Sequence, residues 1–168
     1  MATIAAAPQF MGVRIRRRED PALITGEGKY TGDLQQEGMV HMAVVRSPYP
    51  HARVRSIDTS AAKALPGVLT VLTGAELNPQ MANVLPAAPA EGPGYIDGHT
   101  TARTVLATDK VRCVGDPVAI VVAETRYLAA DAADAVLVDY EPLPGVSDPE
   151  QALAAGAPLL YEEWGTNQ

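Results

Sequence analysis

Residues Val118 to Ala123 are apolar at six consecutive positions. A strand points successive side chains to opposite faces, so an unbroken apolar run leaves no face suited to water. The segment therefore reads as a central strand, buried on both sides, and the rest of the chain must supply what flanks and covers it. Met39–Val45 and Val68–Leu72 are the clearest candidates for neighbouring strands, with Val136–Tyr140 returning later. Arg53–Asp58 alternates less regularly, because Val54 and Ile57 fall off strict register. Thr104–Ala107 and Lys110–Val114 read as short strands, and Gly115-Asp116-Pro117 as the turn that leads into the central one.

Helices are few and short. Arg126–Ala135 places Leu128, Ala132, Ala135 and Val136 at helical spacing, which predicts the buried stripe. Glu19-Asp20-Pro21 suits a helix start, since acidic groups and proline are favoured in the first turn, and Gly26 and Gly28 end it. Asp58 or Thr59 can cap a helix over Ser60–Leu65, and Ser147 or Asp148 another that runs to Leu153. The order of elements lacks the regular alternation of a doubly wound sheet. The expected class is α+β, with a few short helices packed on strands.

The length, 168 residues, suits one domain with tails. Residues 1–11 read as a flexible N-terminal tail, 12–156 as the domain and 157–168 as a C-terminal tail or linker. Residues 78–103 read as a long loop rich in Pro and Gly, of the kind that is functional, mobile or covered by a partner. The formal net charge of -7, from 13 basic and 20 acidic residues, disfavours a nucleic-acid groove. The charge is uneven. Arg14, Arg16, Arg17, Arg18, Arg46, Arg53 and Arg55 lie early, and no Lys or Arg follows Arg126. Two solvated faces and a polar surface that docks on partner domains both account for this. No apolar run approaches the roughly 20 residues that span a bilayer, so no membrane contact is expected. Arg16-Arg17-Arg18 leads into Glu19-Asp20-Pro21 rather than an apolar stretch, which excludes a twin-arginine export signal.

The reactive side chains do not assemble into a site. Thr25–Gly32 superficially resembles a phosphate loop, but Leu23 stands where the first Gly is required and Tyr30 where Ser or Thr is required. Gly26 and Gly28 are instead expected to serve the backbone of a turn. His41, His51 and His99 have no helical metal spacing and no cysteine to join them. His51 follows a Pro-rich turn, so a hydrogen bond to backbone is expected of it. Asp131 and Asp134 are read as solvated acids on a helix. Ser47 and Ser60 lack a nucleophile elbow. Cys113, the single cysteine, is read as a core residue, and its solitude fits a reducing compartment and a cytoplasmic location. No catalytic, cofactor-binding or metal-binding residue is assigned.

Five segments carry a resemblance. Gly12–Asp33 contains Arg18, Glu19-Asp20-Pro21, Thr25-Gly26, Gly28, Tyr30 and Asp33. Arg46–Val54, Leu65–Gly74, Val114–Ala119 and Val138–Pro144 follow in order. Together they resemble the N-terminal α/β hammerhead domain of the large, molybdopterin-binding subunits of aldehyde oxidase, xanthine dehydrogenase and carbon monoxide dehydrogenase. The resemblance implies an oxidoreductase whose full form holds a molybdopterin cofactor, with iron–sulfur clusters and flavin in partner domains or subunits. It implies a structural and docking role here, beside molybdopterin-binding domains and an iron–sulfur subunit. The family's glycine-rich molybdopterin loops and catalytic glutamate are not among these residues, so no activity and no bound cofactor are expected of this chain alone. The alternative is a small-molecule or peptide-binding module on the same fold, since fold alone does not fix function.

Overall fold

The computed structural model describes residues 16–81 and 104–167. The expected tail over residues 1–11, most of the expected 78–103 loop, and His99 lie outside the described residues. The chain divides into two compact units, Met1–Met39 and Val40–Gln168.

In the first unit, helix α1 (Asp20–Ile24) begins with Pro21 in its first turn, as the sequence requires. It ends where the glycines stand. Gly26 has φ +75°, a conformation that penalises any other residue, and its N–H donates to the Leu23 carbonyl at 3.3 Å. Gly28 donates to the Ala22 carbonyl at 2.8 Å, and a Cβ there would lie 2.7 Å from Leu23 Cδ2. Both glycines thus serve the helix exit. Beyond them, Asp33 Oδ2 accepts from the Tyr30 N–H at 2.9 Å and fixes the turn over Thr31–Asp33.

The second unit holds two antiparallel three-stranded sheets. In order along the chain, its strands are β1 (His41–Arg46), β2 (Ala52–Asp58), β3 (Val68–Thr73), β4 (Lys110–Val111), β5 (Pro117–Ala123) and β6 (Leu137–Pro142). One sheet has the order β1-β5-β3 and the other β4-β2-β6. The apolar run is the middle strand, as expected. Val118 is fully buried, but beyond it burial is one-sided. Ala119, Val121 and Ala123 are fully buried, whereas Ile120 and Val122, on the opposite face, are only half-buried.

Between these elements run α2 (Ser60–Lys63), α3 (Gly74–Leu77), α4 (Arg126–Asp134) and α5 (Pro149–Ala152). Thr125 caps α4, its Oγ1 accepting from the Leu128 N–H at 3.2 Å. The buried stripe differs by one residue from the sequence reading. Ala129 and Ala132 lie deepest, and Leu128 is half-buried, its Cδ1 against Gly67. The small alanines let the helix sit close on β5. Ala62, Val71, Ala119, Val121, Ala132 and Val136 make one core cluster, and Ala52, Val111 and Val118 a second. Each fully buried valine contributes about 1.5–3 kcal/mol through removal of apolar area from water.

The two short strands expected before the central one are mostly replaced by side-chain pairing. Asn78 Nδ2 donates to the Leu106 carbonyl at 2.8 Å, and Asn78 Oδ1 accepts from the Leu106 N–H at 3.2 Å. That amide does for Leu106 what a neighbouring strand would do, so Thr104–Ala107 forms no strand. Lys110–Val114 shortens to Lys110–Val111 because Asp116 Oδ2 captures the Arg112 N–H at 2.9 Å and turns the chain. Leu106 is 1% exposed. Asn78→Ala should therefore leave the Leu106 N–H unpaired, while the Leu106 carbonyl keeps the Thr104 hydroxyl at 2.9 Å, and lower stability by about 1–3 kcal/mol, checked by urea unfolding. A midpoint equal to that of the unsubstituted protein would refute this pairing.

Candidate functional site

Two polar clusters stand out in the second unit. The first gathers around the Arg46–Ala52 break. Two prolines end β1, and the chain is then held by the turn before β5. Ser47 N–H donates to the Asp116 carbonyl at 2.9 Å, Gly115 N–H to the Ser47 carbonyl at 2.8 Å, and Arg46 Nη1 to the Gly115 carbonyl at 2.9 Å. Gly115 adopts φ +89°, which lets this reciprocal pairing close. The buried Ser47 hydroxyl is spent on the Tyr49 backbone, at 3.0 and 3.1 Å. His51 is 4% exposed, and its Nδ1 lies 2.8 Å from the Pro144 carbonyl. A carbonyl only accepts, so Nδ1 carries the proton. The expected backbone role of His51 is met. Its Nε2 is buried and finds no hydrogen-bond partner among the described residues.

The second cluster clasps the C-terminal segment to the β4-β2-β6 sheet. Lys110 is 3% exposed, and its Nζ lies 2.6 Å from both carboxylate oxygens of Glu162. Arg53 Nη2 stands 3.9 Å from the same carboxylate. Arg112 Nε donates to the Leu160 carbonyl at 3.0 Å, and its guanidinium sits 4.4 Å from the centre of the Tyr161 ring. Tyr161 in turn stacks on Trp164, with centroids 4.1 Å apart. Asn167 donates to the Ala152 and Pro158 carbonyls and accepts from the Leu160 N–H. Residues 157–168, read from sequence as tail or linker, thus include a run of anchoring groups. The sequence reading missed these anchors. Lys110 and Glu162 lie 52 residues apart, and no local periodicity links them.

A buried ammonium is costly unless paired. The hydrogen bonds from Lys110 hold the Glu162 carboxyl below its ordinary value of 4.5. A carboxylate whose folded pKa is depressed stabilises the fold at pH above that ordinary value, and the contribution is lost as pH falls through the folded pKa. Solvent over Glu162 screens the pair and limits its size. On acidification below about pH 4.5 the clasp should therefore loosen, and the fluorescence of Trp164, the single tryptophan, should report it. Glu162→Gln should shift that signal at neutral pH and remove its acid step. An acid step of unchanged size in the variant would contradict the assignment.

The remaining reactive residues do not join these clusters. Cys113 is exposed, contrary to the expected core position. It lies in the turn whose carbonyl accepts from the Asp116 N–H, outside the strand. His41 is half-buried on β1, opposite Ala123. Asp131 and Asp134 are exposed on α4, and Ser60 starts α2 with its N–H on Asp58 Oδ1. Among the described residues no three of His, Cys, Asp and Glu come together as a metal-binding group.

The strand order and these clusters can be set beside known proteins. Residues 25–144 match the family described as aldehyde oxidase and xanthine dehydrogenase, a/b hammerhead domain. The carbon monoxide dehydrogenase large chain of Afipia carboxidovorans is 44% identical over 155 residues, which cover 92% of this chain and 18% of that one. The nicotine 6-hydroxylase large subunit of Paenarthrobacter nicotinovorans is 42% identical over 146 residues, covering 87% of this chain and 17% of the subunit. Among solved structures, quinoline 2-oxidoreductase from Pseudomonas putida 86 superposes with a TM-score of 0.71 at 42% identity, covering 87% of this chain and 18% of its own. The chain thus spans less than a fifth of the length of these relatives.

Proposed function

Because the chain belongs to the aldehyde oxidase and xanthine dehydrogenase a/b hammerhead domain family, we propose that it acts as the structural and docking domain of a molybdenum hydroxylase. In this reading it packs beside molybdopterin-binding domains and an iron–sulfur subunit, and the carbon-centre or carbon monoxide oxidation is performed by groups those partners hold. Molybdopterin, iron–sulfur clusters and flavin would all be bound outside this chain. The observation that carries the reading is the family match over residues 25–144, joined to coverage of only 18% of the carbon monoxide dehydrogenase large chain.

The geometry agrees with a role in architecture. His51, Ser47, Lys110 and Glu162, the side chains most suggestive of chemistry, are committed to backbone or to one another. General acid–base or nucleophilic catalysis requires such groups to face a reacting atom. The test is co-expression with molybdenum-binding and iron–sulfur partners of the family, followed by purification under native conditions. A complex containing the chain is the expected result. A folded chain that elutes without either partner would count against the proposal.

A further inference from the structure

Every position of Val118–Ala123 is apolar. Val118 is buried in the second core cluster, yet beyond it the face of Ile120 and Val122 joins neither core cluster among the described residues. The register identifies the rest of that face. Val122 lies between Met42 of β1 and Thr70 of β3, and Ile120 between Val44 and Leu72. Residues opposed in an antiparallel ladder point to the same side. These six therefore share one surface, opposite the face of Val71, Ala119 and Val121 that packs with Ala132 of α4. None of the six is charged. Met42 is 63% exposed, and the other five are half-buried. Arg46, at the rim, donates its guanidinium to the Gly115 carbonyl at 2.9 Å.

We infer that this face of the β1-β5-β3 sheet seats an apolar surface of the molybdopterin-binding part of the same large subunit. The inference rests on the proposed function and specifies which surface does the docking. Two observations select this occupant. First, the relatives carry more than four-fifths of their length beyond the matched region, since this chain covers 18% of the carbon monoxide dehydrogenase large chain. A domain of this kind thus has a permanent neighbour in its own polypeptide. Second, an uncharged centre built from Met, Val, Leu and Ile is the composition of obligate interfaces, which resemble a core cut in two. The partial exposure of Ile120 and Val122 on an otherwise buried strand is thereby explained.

The test uses a chimera. The 155 matched residues of the Afipia carboxidovorans carbon monoxide dehydrogenase large chain are replaced by this chain, and the product is expressed with its partner subunits. Met42→Glu places a charge on the face, and Thr70→Lys does so independently. Tyr127→Glu places the same charge on α4, where the side chain is 82% exposed. Met42→Glu and Thr70→Lys should each cut the yield of assembled complex about tenfold or more, as charges buried at an interface centre do, while Tyr127→Glu should match the unsubstituted chimera. Thermal melts of the 168-residue chain carrying each change show whether the domain itself still folds. Assembly unaffected by both face variants, in a chimera that otherwise assembles, overturns this inference and leaves the proposed function standing. Failure of the unsubstituted chimera to assemble, although the chain folds alone, overturns the proposed function instead. A dimer of the isolated chain that Met42→Glu dissociates would assign the face to a second copy and also overturn the inference.

Discussion

Val121→Asp should leave no measurable folded population at 25 °C. Val121 is 0% exposed, at the middle of β5, with Ala43 of β1 and Val71 of β3 opposite it. On its side of the sheet lie Ala132 and Val136. A carboxylate there has no cation within the cluster. Burying it unpaired costs on the order of 5 kcal/mol or more, even after its pKa rises to neutralise it. That is comparable with the whole stability of an ordinary domain, about 5–15 kcal/mol. Val121→Ala removes two methyl groups and should cost about 2 kcal/mol, leaving a folded protein with a lower midpoint. Far-UV circular dichroism separates the two variants. A cooperative melt for Val121→Asp would show that this side of β5 is not the core.

Gly74→Val is the second large effect. Gly74 opens α3 and is buried against the chain that returns through Leu106 and Ala107. A Cβ at this position would lie 2.9 Å from the Ala107 carbonyl oxygen, 3.1 Å from that of Leu106 and 2.8 Å from Thr108 Cγ2. Two of these neighbours are backbone, which cannot rotate away. The Leu106 carbonyl is further fixed by Asn78. Relief therefore requires α3 to lift from the segment, at a cost of about 3 kcal/mol, with Gly74→Ala intermediate. Urea unfolding measures both. An unchanged midpoint for Gly74→Val would mean that the segment over Leu106–Thr108 is not packed against α3.

The elements legible in the sequence are those whose periodicity decides them alone. The apolar run of β5 has no other reading than a middle strand. The helix of Arg126–Asp134 follows from its spacing. The glycines at 26 and 115 were read as turn formers, and both have positive φ. What failed did so where a side chain from elsewhere overrode the local pattern. Asn78 substituted for a strand at Leu106, and Asp116 ended the next strand after Val111. Cys113 reads as a core residue because it precedes the buried β5, but it stands in the exposed turn before that strand. The stripe of α4 holds Leu128, Ala132, Ala135 and Val136 as their spacing predicts and takes in Ala129 besides.

The clasp was illegible for a related reason. Nothing local marks Lys110 as buried, and its partner Glu162 sits in an acidic stretch that reads as solvated surface. The absence of any basic residue after Arg126 was visible, but it does not say which earlier cation the late acids meet. The family signature was legible because its parts are turns, caps and strands, which one chain displays in order. Those same features explain why no reactive constellation was found beside them. They position backbone, and the polar groups among them are consumed in doing so.

The central claim is that this chain supplies architecture to a molybdenum hydroxylase. The most direct measurement is the molybdenum content and turnover of the carbon monoxide dehydrogenase chimera that carries this chain in place of its own matched residues. The account predicts an assembled enzyme with stoichiometric molybdenum and kcat within about threefold of the natural enzyme, because no group that touches the reacting atoms has been exchanged. A chimera that assembles and binds molybdenum, yet loses turnover by a hundredfold or more (about 2.7 kcal/mol), would contradict it and place catalytic groups within these residues.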